Sequence, residues 1–131
     1  MTDVREMIQS TLDAALVGTN VYVFWQRRVE ILSTPNPDEY VIYTLGGDYD
    51  REFADNEPLI KEQDITIKYY YRSEKTETSA GRTLIKSREN TILNSLKAAG
   101  FYSPSGFFDV GDIDDIGYFT SVSEWSFARV V

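Results

Sequence analysis

The sequence lacks cysteine and histidine altogether in its 131 residues. Without cysteine there are no disulfides, thiol nucleophiles or thiolate metal sites, and a reducing compartment is permitted. Without histidine the chain lacks the usual general base near neutral pH, the commonest transition-metal ligand and every Ser-His or Cys-His mechanism. We therefore predict that the protein is not an enzyme and uses no cofactor or metal.

Long hydrophobic runs are also missing. No apolar segment approaches the roughly 18 to 20 residues that a membrane-spanning helix needs. The first residues, MTDVREMIQ, lack the basic and apolar regions of a secretory signal. We therefore expect neither a membrane-spanning helix nor a secretory signal. Hydrophobic residues make up 42% and aromatic residues 14%, enough for one core, and we predict a single domain over residues 1–131.

Charge is plentiful but unevenly distributed. The chain carries a net charge of −8, which disfavours contact with DNA by long-range repulsion. Residues 68–97 hold seven basic and three acidic residues, a net charge of +4, which leaves −12 for the rest. This pattern is typical of a solvated helix face beside acidic loops. It also fits two complementary surfaces through which identical subunits meet head to tail.

Residues 80–101 form the strongest helical pattern of the sequence. Four apolar residues recur with helical spacing along one face, namely Ile85, Ile92, Leu96 and Ala99. The pattern directs Arg88 and Glu89 away from that face. Gly100 is predicted to end the helix in the left-handed conformation, with Phe101 closing back on Leu96 in a Schellman motif.

Strands are predicted on both sides of this helix. Residues 64–72 alternate, with Ile65, Ile67, Tyr69 and Tyr71 on one face, and residues 118–131 form one long strand. Aromatic and β-branched residues predict strands at 21–26, with both faces covered, and at 40–45. Residues 107–110 suit a short strand.

The remaining segments are connections and one further helix. Asp3 is predicted to cap a short N-terminal helix that buries Val4, Ile8 and Leu12 and stops by Gly18. Residues 33–38 and 73–80 are predicted to be polar connections, and the acidic residues 48–62 an extended excursion between paired strands. The whole order predicts an α+β fold: a mixed, mostly antiparallel sheet of four to five strands with two helices packed on it.

One dense group of carboxylates is a candidate for chemistry, and it comprises Asp109, Asp112, Asp114 and Asp115. Four carboxylates in seven residues suit Ca²⁺ or Mg²⁺, but the spacing does not match an EF-hand loop. A hairpin turn is the preferred interpretation, and an interaction tip and a metal site are the alternatives.

Other patterns are less specific. Glu62, Asp64 and Lys68 could be mistaken for the two acids and lysine of a nuclease core, with Asp64 and Lys68 on one strand face, but nothing else supports a two-metal site. The start of the predicted helix, at Ala80, Gly81 and Arg82, presents free backbone amides that could bind an anion, although a plain helix start is the preferred interpretation. Nine tyrosines and two tryptophans supply core packing and also the kind of side chain that anchors interfaces.

Four segments together resemble those of a known family. They are the short N-terminal helix, residues 40–73 (YVIYTLGGDYDREFADNEPLIKEQDITIKYYYRS), the amphipathic helix ending AAGF at 98–101, and residues 111–127 (GDIDDIGYFTSVSEWSF). In their order and residue pattern they resemble the tail-terminator, or tail-completion, proteins of long-tailed bacteriophages and phage-like prophage elements.

The resemblance implies a structural role in virion assembly. The expected subunit is a small α+β protein that forms a homo-oligomeric ring, sixfold in this family, on the end of the tail tube. Its expected partners are other copies of itself, the tail-tube protein below and the head-side connector above, with no direct contact to nucleic acid or membrane. It would be assembled in the bacterial host cytoplasm and reside in the tail or neck of the virion.

A ring of identical subunits needs two different patches on each subunit. We predict that the basic 68–97 segment and the acidic segments 48–64 and 109–115 supply them. The residues predicted to lie in subunit or tube interfaces are Arg72, Lys75, Arg82, Lys86, Asp109, Asp112, Asp114 and Asp115.

Two alternative functions remain open from the sequence. A head-closure or adaptor protein of the phage neck would share the size and style of this chain. From a different class, an acidic DNA mimic that inhibits a nucleic-acid enzyme would also carry a charge of −8 and no catalytic groups. Such a mimic would bind a basic partner with strong salt dependence, and the +4 segment fits it poorly.

Overall fold

The N-terminal helix begins at its predicted cap and ends at Ala15, three residues before Gly18. The computed structural model describes residues 3–28, 36–54, 57–110 and 117–130, apart from the side chains of residues 49, 51–54 and 57–59. Helix α1 (Val4–Ala15) is capped by the Asp3 carboxylate, which accepts a hydrogen bond from the Arg5 N–H at 2.9 Å. Gly18 follows the helix with a φ of +79°, a conformation that glycine adopts without strain.

Five strands form one mixed sheet. They are β1 (Tyr22–Trp25), β2 (Glu39–Ala54), β3 (Glu57–Arg72), β4 (Phe107–Asp109) and β5 (Tyr118–Val130). Their spatial order is β1-β2-β3-β5-β4, with β1 parallel to β2 and all other neighbours antiparallel. This confirms the predicted α+β fold with a mixed, mostly antiparallel sheet.

The main helix, α2 (Ser79–Ala98), ends as its sequence predicts. The Phe101 N–H donates to the Leu96 carbonyl at 3.0 Å and the Gly100 N–H to the Lys97 carbonyl at 3.1 Å, with Gly100 at a φ of +98°. These are the two hydrogen bonds of a Schellman motif. Phe101 is buried and its ring packs on that of Phe127, 4.7 Å away, which joins the end of the helix to β5.

The core lies between the two helices and one face of the sheet. The predicted alternation in β3 is confirmed, because Ile65, Ile67, Tyr69 and Tyr71 are all buried on this face. Opposite them β5 contributes Ser121, Ser123 and Trp125, and the helices contribute apolar side chains. Those helical residues are Val4, Ile8 and Leu12 of α1 and Ile85, Ile92 and Leu96 of α2.

The outer face of the sheet carries a cluster of aromatic rings. The rings of Tyr40 and Tyr70 stack at 4.6 Å, and Tyr118 meets Tyr40 edge-on at 5.1 Å. The guanidinium of Arg28 lies 5.2 Å from the centre of the Tyr40 ring. The three consecutive tyrosines are thus divided between faces, with Tyr69 and Tyr71 in the core and Tyr70 outside.

The acidic residues 48–62, predicted to be an extended excursion, instead continue both strands of the hairpin. The β2–β3 ladder runs on to the pair of Ala54 with Glu57, and a register shift between Leu45 and Asp48 marks a β-bulge at the two glycines. The buried Gln63 amide fills this bulge by donating to the Gly46 and Gly47 carbonyls at 2.9 and 3.2 Å. Backbone pairing therefore overrides the low strand propensity of the acidic residues.

The strand extension beyond the bulge comprises residues 48–54, 57–62 and 127–130, and we call it the ribbon. Oppositely charged side chains face each other across it. Arg129 contacts the Asp48 carboxylate at 2.8 Å, and Lys61 lies 3.9 Å from Asp50. Such exposed pairs contribute little individually, but they offset the repulsion among the acidic residues.

Three further expectations need correction. The connection at 73–80 is ordered as a 3₁₀ helix, Ser73–Glu77, followed directly by α2. Trp25, expected in a covered strand, is 43% exposed because β1 is an edge strand. Arg88 and Glu89 do not point to solvent, since both lie between α2 and the sheet.

Some predictions concern residues that the structure does not describe. Residues 33–35 of the predicted loop at 33–38 are among them, and so are residues 111–116 of the predicted acidic turn. Within the described residues, no helix has the length and apolar character needed to cross a membrane.

Candidate interaction surfaces

Arg72, at the end of β3, is held in place by its own chain. Its guanidinium lies 4.7 Å from the centre of the Tyr118 ring and donates to the Asn36 carbonyl at 3.3 Å. Its backbone N–H donates to the Asp38 carbonyl at 3.0 Å. Arg72 therefore fixes the segment at 36–38 against the sheet, and part of its hydrogen-bonding capacity is used within the subunit.

Lys75 and Arg82 lie close together at the junction between the 3₁₀ helix and α2. The Arg82 Nη1 donates to the Thr76 carbonyl at 2.8 Å, which ties α2 to the 3₁₀ helix. Gly81 permits this approach, because a Cβ atom there would lie 2.0 Å from the Lys75 carbonyl oxygen. A surface depression at this junction is lined by Arg72 and Lys75, and also by the acidic residues Asp38 and Glu74.

Lys86 extends the same basic surface along α2. It lines a second depression with Arg82, and the other lining side chains are hydroxyls and amides, namely Ser79, Thr83, Ser87, Asn90, Thr91 and Asn94. The one acidic residue of this helix, Glu89, is buried on the opposite side. The exposed face of α2 therefore carries positive charge and neutral hydrogen-bonding groups, without a carboxylate among them.

Asp109 lies at the end of the edge strand β4, opposite Ser121 of β5. It lines a small depression together with Thr76, Tyr71 and Phe119. Asp109 thus lies beside the 3₁₀ helix that carries Lys75, within the same subunit. The other predicted acidic residues of this group, Asp112, Asp114 and Asp115, lie outside the described residues.

The predicted interface residues that are described therefore collect around the start of α2. The acidic ribbon lies at the other end of β3, since Lys61 and Arg72 are eleven residues apart on that strand, or about 36 Å at ~3.3 Å per residue. Residues 48–64 hold seven acidic and two basic residues. One end of the central strand is therefore strongly acidic, whereas the other end carries the basic residues around the start of α2 together with Asp38, Glu74 and Asp109.

A buried ionic group beneath α2 was not predicted from the sequence. Glu39 is 5% exposed and accepts hydrogen bonds from the Tyr69 hydroxyl at 2.5 Å and from the Arg88 Nε at 3.1 Å. Burial raises the pKa of Tyr69 well above its ordinary value, and the hydrogen bond to Glu39 adds to the shift. The Tyr69 hydroxyl therefore stays protonated and acts as a donor.

Glu89 is the second buried carboxylate. It accepts a hydrogen bond from the Ser121 hydroxyl at 2.7 Å, and burial raises its pKa from the ordinary value of 4.5. The nearby Asp109 charge raises that pKa further, while the Ser121 hydrogen bond and Lys86 oppose the shift. Helical spacing alone could not reveal either group, because the partners come from distant strands.

Both buried carboxylates form hydrogen bonds that link α2 with the sheet. Across the described ranges, no three acidic side chains gather closely enough to hold a metal ion. Each buried carboxylate accepts a hydrogen bond from a neighbouring hydroxyl group. The geometry thus supports fixing α2 to the sheet, and the exposed charged and apolar surfaces remain as sites of interaction.

Comparisons with known proteins assign no function. No protein-family model matches the chain, and no curated protein matches it. One similar solved structure, of a protein whose name states no function, covers 99% of this chain and 97% of its own, with a TM-score of 0.49 and 10% identity. A likeness at that level carries no functional argument, so the function must be argued from the residues.

Proposed function

We propose that this protein is a structural component of phage or prophage tail assembly, a tail terminator. In this role copies of the chain form a ring, hexameric as in the family it resembles, that caps the tail tube. The ring joins the tube to the head-side connector, in the tail or neck of the virion. The protein performs no catalysis there.

The observation that carries this proposal is the separation of charge along β3. A ring between tube and connector must present two different surfaces, one to each neighbour. Arg82 and Lys86 on the exposed face of α2, and the mixed-charge surface around Arg72 and Lys75, lie at one end of the subunit, and the acidic ribbon lies at the other. Surfaces of opposite charge favour different partners and suppress reversed docking.

The arrangement of the resembling segments supports the same role. Residues 40–73 form most of the β2–β3 hairpin, and residues 98–101 end α2 on β5. The described part of residues 111–127 forms most of β5. The family likeness therefore falls on adjacent elements of one packed unit, as expected of a shared subunit architecture.

The test is deletion of the gene from the phage or prophage that encodes it, with electron microscopy of the lysate. A tail terminator stops tube growth, so we expect overlong tails without attached heads. Supplying the wild-type protein from a plasmid is the control and must restore tails of normal length with heads.

Two other outcomes would redirect the assignment. Tails of normal length beside tailless heads would contradict tail termination and favour a head-closure or adaptor protein. Normal virions would contradict any essential role in assembly and bring forward the acidic DNA mimic.

A further inference from the structure

The two edge strands of the sheet, β1 and β4, lie at the same height along the strand direction, which we call the same level. The ladder pairs Phe24 with Ile42, Ile42 with Lys68, Lys68 with Val122, and Val122 with Phe108. One transverse row of the sheet therefore begins at Phe24 on β1 and ends at Phe108 on β4. The two edge strands are also short, with four and three residues.

The edge strands run in opposite directions. Strand β1 is parallel to β2, and each of the following steps across the sheet, to β3, β5 and β4, reverses the direction. If the β4 edge of one copy is placed beside the β1 edge of the next, the two strands are antiparallel. Antiparallel pairing forms the hydrogen bonds perpendicular to the strands, which suits two edges at one level.

The backbone groups at the two edges complement each other. Gln26 donates to Tyr43 within the sheet, so Val23 and Trp25 direct their backbone groups outward. Their carbonyls are occupied, that of Val23 by the Gln9 amide at 3.3 Å and that of Trp25 by the Arg27 N–H at 2.8 Å. Within the described ranges, the N–H groups of Val23 and Trp25 have no hydrogen-bond acceptor.

The β4 edge offers the matching acceptors. Val110 donates to the Thr120 carbonyl at 3.1 Å, which places the backbone groups of Phe108 and Val110 toward β5 and those of Phe107 and Asp109 outward. In the described part of the chain no donor reaches the carbonyls of Phe107 and Asp109. At equal level, Trp25 stands opposite Phe107 and Val23 opposite Asp109.

The side chains at the two edges are also matched. Trp25 is 43% exposed and Phe108 is 47% exposed, and both lie at edges that a neighbouring sheet would cover. Edge pairing would place Phe24 beside Phe108 on the outer face and Trp25 beside Phe107 on the helix face. Cross-strand aromatic pairs of this kind stabilise sheets.

Charge favours the same orientation. Arg5 lies over the Trp25 ring at 4.7 Å but is paired with Asp3 at 3.2 Å, so the positive charge at the β1 edge comes from the exposed Arg27 that follows the strand. The β4 edge ends at the exposed Asp109. Opposite charges at the two edges attract in the head-to-tail arrangement and repel when like edges meet.

We propose that the β4 edge of one copy pairs with the β1 edge of a second copy of this chain and continues the sheet from subunit to subunit. The inference rests on the proposed function only for the expectation that copies form a ring. Because the two patches differ, the contact is heterologous and can close into a ring. Each contact is small, so closure stabilises the whole assembly through the high effective concentration of the last pair.

Engineered disulfides test this pairing directly, since the chain contains no cysteine. Phe24 and Phe108 would face each other at a non-hydrogen-bonded position with Cα atoms about 4.5 Å apart, within the range for a disulfide. We expect Phe24→Cys with Phe108→Cys to give, on oxidation, a ladder of covalent oligomers that ends at the ring. Oxidation is carried out on concentrated purified protein and on lysates of producing cells, with non-reducing electrophoresis as the readout.

The matched control is Phe24→Cys with Tyr102→Cys. Tyr102 is 64% exposed and faces Ser126, four residues along β5 from the partner of Phe108, or about 13 Å at ~3.3 Å per residue. It carries the same number of thiols out of register, so we expect no ladder beyond dimers. Circular dichroism and thermal unfolding establish that both variants are folded.

Equal cross-linking of the two folded variants, in solution and in lysate, would overturn the pairing. A second measurement is light scattering of Phe108→Lys, which we expect to lose self-association while Tyr102→Lys keeps it. Overlong tails after gene deletion without a ladder would leave the proposed function standing and reject this interface. A ladder from a protein whose deletion leaves virions normal would support this interface and reject the proposed function.

Discussion

At the scale of single residues, two buried carboxylates beneath α2 differ in how their charge is stabilised. Glu39 faces the Arg88 guanidinium and the Tyr69 hydroxyl, so its charge is paired. Glu89 accepts a hydrogen bond from the Ser121 hydroxyl, and the pKa of Glu89 is raised because burial disfavours the charged form. Glu89 is therefore the buried group whose charge opposes folding at neutral pH.

Replacement of Glu89 by glutamine should raise the thermal stability at neutral pH by a few degrees. Because the folded state binds the Glu89 proton more tightly than the unfolded state, wild-type stability falls as pH rises from 4.5 through the raised pKa. Glu89→Gln keeps an acceptor for Ser121 and removes this loss. The gain, measured by thermal unfolding across pH, should shrink as the pH falls toward 4.5.

Glu124→Gln is the matched control, because Glu124 is exposed on β5. It should change the melting temperature little at any pH. An equal gain for Glu89→Gln at acid and neutral pH would show that improved packing, and not loss of the charge, explains its effect.

At the scale of elements, the junction of the 3₁₀ helix with α2 depends on a missing side chain. The Lys75 carbonyl oxygen occupies the space where a Cβ atom of residue 81 would lie. The sequence predicts Gly81 at a helix start but does not predict this contact, because helix propensity is a local property. The basic surface at this junction takes its shape from that close approach.

Gly81→Ala should destabilise the protein by about 1–3 kcal/mol, although alanine favours helices by about 1 kcal/mol over glycine. The clash at 2.0 Å is with backbone, so the 3₁₀ helix must move. Chemical denaturation gives the free energy of unfolding. Gly47→Ala is the control, since nothing lies within 4 Å of a Cβ atom there; a neutral or stabilising Gly81→Ala would contradict the contact.

The hairpin of β2 and β3 shows a second limit of reading elements separately. Strand propensity predicts the apolar halves at residues 40–45 and 64–72 but not the acidic half. Once those halves pair in register, the chain beyond them is already aligned, and backbone hydrogen bonds extend the ladder to residues 54 and 57. The bulge at the glycines then depends on the buried Gln63 amide, a contact across two strands.

At the scale of the whole molecule, four surfaces are available for the contacts of the proposed ring. The ends of β3 differ in charge and suit two different neighbours, and the edges β1 and β4 suit copies of the chain. The interior holds the structural groups, including both buried carboxylates. This separation of surfaces is the property that the two proposals share.

Reversal of charge at the basic end tests its role in assembly. We expect Lys75→Glu with Arg82→Glu to weaken attachment to the tail by tenfold or more, because an attraction becomes a repulsion. Attachment is measured by cosedimentation with isolated tails at low and high salt, where screening should reduce the difference. Lys97→Glu, in the last turn of α2, is the control for charge change on that helix.

Melting temperatures must accompany this test, since Arg82 also anchors Thr76. Wild-type attachment by a double variant with an unchanged fold would contradict a role of these two residues in assembly. It would not test the other residues of this surface.

The sequence by itself determined the elements whose signals are local. Apolar periodicity and capping chemistry placed α1, α2 and its Schellman ending, and alternation placed the buried face of β3. Only the tertiary structure decided the long hairpin, the burial of Glu39 and Glu89, the close contact at Gly81 and the level of the two sheet edges. Each of these depends on groups far apart in the chain, so no local pattern contains them, and packing and register bring them together.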